Sequence, residues 1–197
     1  MGAKLLPLRR TSGDSAALSD EALVAACSAR DTTALAALFD RHHKDVHRFL
    51  VRLAGVDDDV VDDLLQDTFL EVWEGAARFR SGSRVRTWIF GIAANLGRQH
   101  VRTDHRRKAR AAVYLERLPE GASTPGDALE RRQQLERLAA TLDELPHDLK
   151  VAWILCDLEE ERGVDAARAL GVREGTLYRR LHEARRALRA GLGEGER

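Results

Sequence analysis

Between residues 60 and 73 the sequence repeats an apolar or small pair every four positions: Val60-Val61, Leu64-Leu65, Thr68-Phe69 and Val72-Trp73. Only a helix gathers such pairs on one side, because 3.6 residues per turn returns positions i and i+4 to the same face. Asp62, Asp63, Gln66, Asp67, Glu71 and Glu74 fall on the opposite side. The segment predicts a helix that buries one stripe and shows water a nearly continuous acidic surface.

The same period recurs along the chain. Ser19 before Asp20 and Glu21 reads as a helix cap with acids in the first turn. Leu35, Leu38, Phe39, Val46, Phe49, Leu50 and Leu53 form one amphipathic stripe, closed near Gly55. After Gly75 and a loop over 78–84 that contains Ser81-Gly82-Ser83, a further helix turns Val85, Trp88, Ile89, Ile92, Ala93 and Leu96 inward. Its outward set is Arg86, Asn95, Arg98 and Arg102.

The run Pro-Glu-Gly-Ala-Ser-Thr-Pro-Gly at 119–126 reads as a linker. Beyond it, Leu135, Leu138, Ala139, Leu142 and Leu145 predict a helix stopped before Pro146, and Val151, Ile154, Leu155 and Leu158 predict another. Two more pieces, 164–170 and 174–190, are joined by Gly171-Val172-Arg173.

With 44 % hydrophobic, 32 % charged and only 5 % aromatic residues, and few β-branched ones, the expected fold class is all-α. The expected organisation is a disordered tail (1–17), a helical domain (18–108), a flexible linker (109–130) and a second helical domain (131–197). No apolar run approaches the ~18 residues of a membrane span, and no signal-type stretch follows the basic N-terminus. Cys27 and Cys156 build no disulfide framework and no metal spacing, so a reducing cytoplasm is the expected location.

The 32 basic and 32 acidic residues cancel, which would dismiss a nucleic-acid binder if they were mixed. They are sorted instead. Residues 57–74 hold eight acids and no Lys or Arg, whereas residues 78–110 hold ten bases and a single acid, Asp104. Partners respond to such local fields rather than to the sum. The acidic helix fits docking to a basic protein surface. The basic segment interleaves charge with Phe79, Trp88 and Phe90, a composition suited to phosphate and unpaired bases and equally to a solvated basic face. Trp88 belongs to the core stripe; Phe79 and Phe90 are open to either role.

Residues 165–181 have helix-turn-helix spacing. Ala167 allows close helix approach, Gly171 can take positive φ in the turn, and Val172 and Leu177 plug the interior. The second helix buries Leu177, Leu181, Ala184 and Leu188 and turns Thr176, Arg179, Arg180, Arg185 and Arg186 outward or sideways, where arginines can take guanine edges or phosphate. An ordinary helical hairpin with solvated arginines would show the same periodicity.

Signals for chemistry are weak. Residues 57–67 lack the Gly and terminal Glu of a calcium loop. His43 and His47 have the spacing of a zinc pair, but Lys44 stands where the general-base Glu belongs. No nucleophile elbow, glycine-rich phosphate loop or Cys/His pair is present, so neither enzyme activity nor a metal or other cofactor is expected.

With these residues in view, the chain resembles bacterial RNA polymerase sigma factors of the extracytoplasmic-function (ECF) group, which keep regions 2 and 4 joined by a linker. Residues 62–73 (DDLLQDTFLEVW) are similar to the family pattern EDLxQ(E/D)TFLxVW, and 86–96 (RTWIFGIAANL) to FRxWLyxIAxN. Leu142-Asp143-Glu144-Leu145-Pro146 matches LxxLP. Ala169-Leu170-Gly171-Val172, Gly175-Thr176-Leu177 and Arg180-Leu181-His182 with Ala184-Arg185 match the region 4 helix-turn-helix. The chain departs from the pattern at 160–167, which reads EERGVDAA in place of GLSYxEIA. Arg173 replaces a common Pro, Tyr178 a Lys, Arg179 a Ser, and Gln99 a frequent Asp.

The resemblance implies a promoter-recognition subunit. Asp62, Asp63, Gln66, Asp67 and Glu71 would dock on the clamp helices of the polymerase β′ subunit, with further contact to β. Arg78, Phe79, Arg80, Arg84, Arg86, Asn95, Arg98 and Arg102 would meet the −10 element, open it and hold unpaired bases. Arg173, Thr176, Tyr178, Arg179, Arg180 and Arg185 would read the −35 element. Residues 103–130 would thread the polymerase near its RNA channel, and an anti-sigma factor is an expected partner. Two other readings of the residues stand beside it: a stand-alone helix-turn-helix regulator, and a sigma-like interaction protein that starts no transcription.

Overall fold

The computed structural model describes residues 18–54, 58–80, 82–103 and 137–192. The expected tail (1–17), the expected linker (109–130), Leu135, Gly55 and Ser81 lie outside them. Among the described residues there are helices and turns and no strand.

Four helices form the first half: α1 (Asp20–Ser28), α2 (Thr32–Ala54), α3 (Asp58–Gly75) and α4 (Val85–Thr103). Ser19 caps α1, its hydroxyl accepting from the Ala22 N–H at 3.2 Å, as expected from the sequence. Asp20 in that first turn also binds Arg41 at 2.7 Å and His42 at 3.0 Å, tying α1 to α2. The paired stripe of α3 is buried as its spacing predicts, with Val61, Thr68 and Val72 fully enclosed. Thr68 satisfies its hydroxyl by donating to the Leu64 carbonyl at 2.6 Å, so a polar residue sits in the core at little cost.

The second half comprises α5 (residues 137–144), α6 (His147–Trp153), α7 (Gly163–Ala169) and α8 (Glu174–Gly191). Past Trp153, α6 widens into a π-helical turn over Ile154–Leu158. The α7–α8 turn is of helix-turn-helix type: Gly171 has φ +66°, Ala167 is enclosed where the helices meet, and Leu177 is fully buried beneath the turn. A side chain at Gly171 would meet no neighbour, so its requirement is conformational rather than steric.

The two halves share one apolar core. A continuous cluster runs from Leu23, Leu38, Phe49 and Phe90 through Ala93 to Val151, Ile154, Leu155, Ala166 and Leu177. The stacked pair Phe49–Phe90, with ring centroids 4.9 Å apart, sits at its centre. A smaller cluster of Leu142, Leu145, Ala184 and Leu188 holds α5 against α8. The contact between halves is made mainly by α7 against α4. It is close enough that a Cβ at Gly91 would collide with the Ala169 carbonyl group, 2.9 Å from its carbon.

Candidate functional site

The outer face of α3 carries Asp62, Asp63, Gln66, Asp67, Glu71 and Glu74, all exposed. Only Asp62 has an ion-pairing neighbour among the described residues, His47 at 3.9 Å. Asp63, Asp67, Glu71 and Glu74 therefore keep their charge turned outward, where no guanidinium of the described residues neutralises it. Leu70 lies among them and remains 38 % exposed, an apolar spot within the acidic surface. The sequence reading passed over Leu70, although its position outside the buried stripe was the available signal.

The expected −10 set divides. Arg78, Arg80, Arg84 and Asn95 are exposed, with Arg78 closing a single 3₁₀ turn, Ala76–Arg78, rather than a loop. Phe79 is half-buried and tilted against Trp88, centroids 4.9 Å apart, at the start of α4. Phe90 is fully buried, which settles its role as core. The side chain of Arg102 lies outside the described residues.

Arg86 and Arg98 correct the expectation that they face outward. The second half packs over that side of α4 and pairs both. Arg98 binds Asp148 at 2.6 Å. Arg86 sits over the Phe90 ring at 4.5 Å and donates to Asp45 at 3.0 Å, to Glu159 at 2.5 Å and to Glu161. Glu159 also accepts from Arg52 at 2.6 Å and from Arg48 at 3.2 Å, and Glu161 accepts from the buried Thr87 hydroxyl at 2.5 Å. Both glutamate side chains are only 1 % exposed.

Such carboxylates are stable out of water only when fully paired, and here each is. Burial works against the Arg86 charge, but the bonds to Asp45 and Glu161 and the charges of Glu161 and Glu159 outweigh it and raise its pKa. Asp45 is likewise desolvated, yet the hydrogen bond and charge of Arg86 and then Arg48 hold it below the usual carboxylate range. Glu159, Glu161 and Thr87 were missed in the sequence. The only hint was of Glu161, which falls in the stretch 160–167 that departs from the family pattern.

Arg173, which caps α8, and Tyr178 and Arg179 within it are exposed, and Thr176 is half-exposed. Arg180 is instead 19 % exposed, drawn sideways onto Asp148 at 2.5 Å. Arg185 grips Asp157 through two bonds, at 2.5 and 2.9 Å. The Tyr178 ring leans on Gly163, where any Cβ would clash with the ring.

Burial pushes both thiols, Cys27 and Cys156, up to about 11, so neither is a ready nucleophile. Among the described residues no group of His, Cys, Asp and Glu could hold a metal ion, and no helix is long and apolar enough to cross a membrane.

Residues 38–107 match the family described as Sigma-70 region 2, and residues 135–188 match Sigma-70, region 4. The chain is 35 % identical over 178 residues to the ECF RNA polymerase sigma factor SigM of Mycobacterium tuberculosis, covering 89 % of this chain and 85 % of that protein. Its fold is similar to CnrH in complex with the cytosolic domain of CnrY (TM-score 0.64, 26 % identity, 90 % of this chain and 99 % of that one). It is also similar to the sigma factor RpoE of Bartonella quintana, in complex with the anti-sigma factor NepR (TM-score 0.55, 26 % identity, 79 % and 93 %).

Proposed function

This chain belongs to the ECF RNA polymerase sigma factors, and from that premise we infer how its surfaces divide the work of transcription initiation. The outer face of α3 docks on core polymerase: Asp63, Gln66, Asp67 and Glu71 meet a basic protein surface, Asp62 extends that edge, and Leu70 adds an apolar contact. That an acidic helix face stays exposed beside a basic segment, with only Asp62 near an ion-pairing group among the described residues, is the observation that carries this reading.

The turn from Arg78 to Arg84, with Arg86, Asn95, Arg98 and Arg102 along α4, engages the −10 element. The cations bind backbone phosphate, while unstacking a base costs a few kcal/mol that pocket contacts must offset. The exposed start of α8, with Arg173, Thr176, Tyr178 and Arg179, enters the major groove of the −35 element; Arg180 and Arg185 reach phosphate once they release their aspartates. The chain itself catalyses no reaction, works in the cytoplasm and requires no cofactor; nucleotide chemistry belongs to the polymerase. An anti-sigma factor is the expected negative regulator, as in the complexes of the similar structures.

In-vitro transcription with purified core polymerase over a genomic promoter library tests the reading. Start sites that appear only when the chain is added are expected. Transcripts identical with and without it would contradict the assignment.

A further inference from the structure

We propose that the segment Glu159–Glu161 is a built-in acidic plug for the first half, holding the free chain closed and withholding Arg86 from DNA until the halves separate. The occlusion rests on the reading of Arg86 as a −10 contact; the closure does not.

The receptor is a notch of three guanidiniums, Arg48 and Arg52 from α2 and Arg86 from α4, with the Thr87 hydroxyl at its floor. Two carboxylates from the second half fill it. A carboxylate pair is chemically close to a phosphate, since both offer several anionic oxygens to forked guanidiniums. The plug thus occupies the same donors that a DNA backbone would need.

The backbone is shaped for this insertion. The π-helical turn at Ile154–Leu158 ends with the Glu159 N–H donating to the Ile154 carbonyl, and the Glu161 N–H donates to the Leu155 carbonyl, each at 2.9 Å. Between the two glutamates, Glu160 adopts φ +53°, a conformation unfavourable for a residue with a side chain. That kink lets both neighbours reach Arg86. A second device acts at the same interface: Gly91 admits the Ala169 backbone to a distance that no other residue would allow. His147, whose Nε2–H donates to the Ala94 carbonyl at 3.0 Å, and Asp148, on Arg98, extend the closure along α4.

The test compares the full chain with the Glu159→Gln/Glu161→Gln variant by small-angle X-ray scattering and by binding to forked −10 DNA in the absence of polymerase. Circular dichroism confirms that helix content is kept. The variant is expected to show a larger radius of gyration and at least a tenfold gain in affinity for the forked DNA. Because Arg52 would lose its carboxylate and Arg48 and Arg86 would keep only Asp45, which could disturb folding, Gly91→Ala serves as a second variant: it keeps every charge and opens the interface by steric contact alone. It is expected to expand the particle in the same way. Unchanged radii in both variants would overturn the closure. Expansion with no gain in DNA affinity would overturn the occlusion. Failure of the functional reading is seen separately, as absence of chain-dependent transcription with core enzyme.

Discussion

Reversing Asp63 and Asp67 to Lys separates docking from folding. Both side chains are exposed and unpaired among the described residues, so the changes remove no internal contact, and exposed substitutions of this kind shift stability by only about 0.5 kcal/mol. Lys is also a slightly better helix former than Asp. Against a basic docking surface the effect is larger. Two unit charges ~4 Å apart interact by ~1 kcal/mol in water, and reversal turns attraction into repulsion of similar size, ~2 kcal/mol per site. Two sites on one face then cost ~4 kcal/mol, close to ~1000-fold in Kd. The assay is titration of labelled chain with core polymerase at two salt concentrations, with thermal melts alongside. The deficit should shrink at the higher salt, because exposed charges are screened over about 10 Å at 0.1 M. An unaltered melting curve with a Kd within twofold of the parent would refute the docking role of this face.

Phe49→Ala removes a fully buried ring stacked on Phe90 and should cost about 3–5 kcal/mol, read as a lowered denaturant midpoint; a loss under 1 kcal/mol would mean the shared core is not packed as described. Arg179→Ala should weaken −35 binding by holoenzyme and reduce the slope of log K against log salt by ~0.9 if its guanidinium meets a phosphate, and an unchanged slope would place it off the backbone. The closed form should loosen on acidification. Burial lowers the His147 pKa, helped by the charges of Arg98 and Lys150 and opposed by the Ala94 carbonyl and Asp148. The open chain therefore takes up a proton that the closed one refuses, so closure is complete above pH ~6.5 and weakens below it. Scattering across pH 5–8 checks this, and His147→Gln should remove the step near neutrality.

What could be read from the sequence was local. The α3 stripe, the Ser19 cap, the Gly171 turn and the buried Leu177 each follow from contacts within a few residues, where period and backbone preference decide. Arg86 could not be placed that way. Its helix period set it facing water, and its partners Glu159 and Glu161 lie more than 70 residues further along the chain. Tertiary packing overrode the amphipathic pattern of α4: one side meets α2 and α3, and α7 covers another. Nor did the three consecutive acids at 159–161 announce their burial, because burial of charge becomes possible only when a guanidinium notch is assembled from two other helices.

The central claim is that opposite charges on adjacent helices serve different partners. A photo-crosslinking residue placed singly at Gln66 on α3 or at Asn95 on α4, in holoenzyme bound to promoter DNA, tests it most directly, since both positions are exposed. The account predicts that position 66 crosslinks to a polymerase subunit and not to DNA, and that position 95 crosslinks to DNA near the −10 element. DNA adducts at position 66, or only protein adducts at position 95, would contradict it.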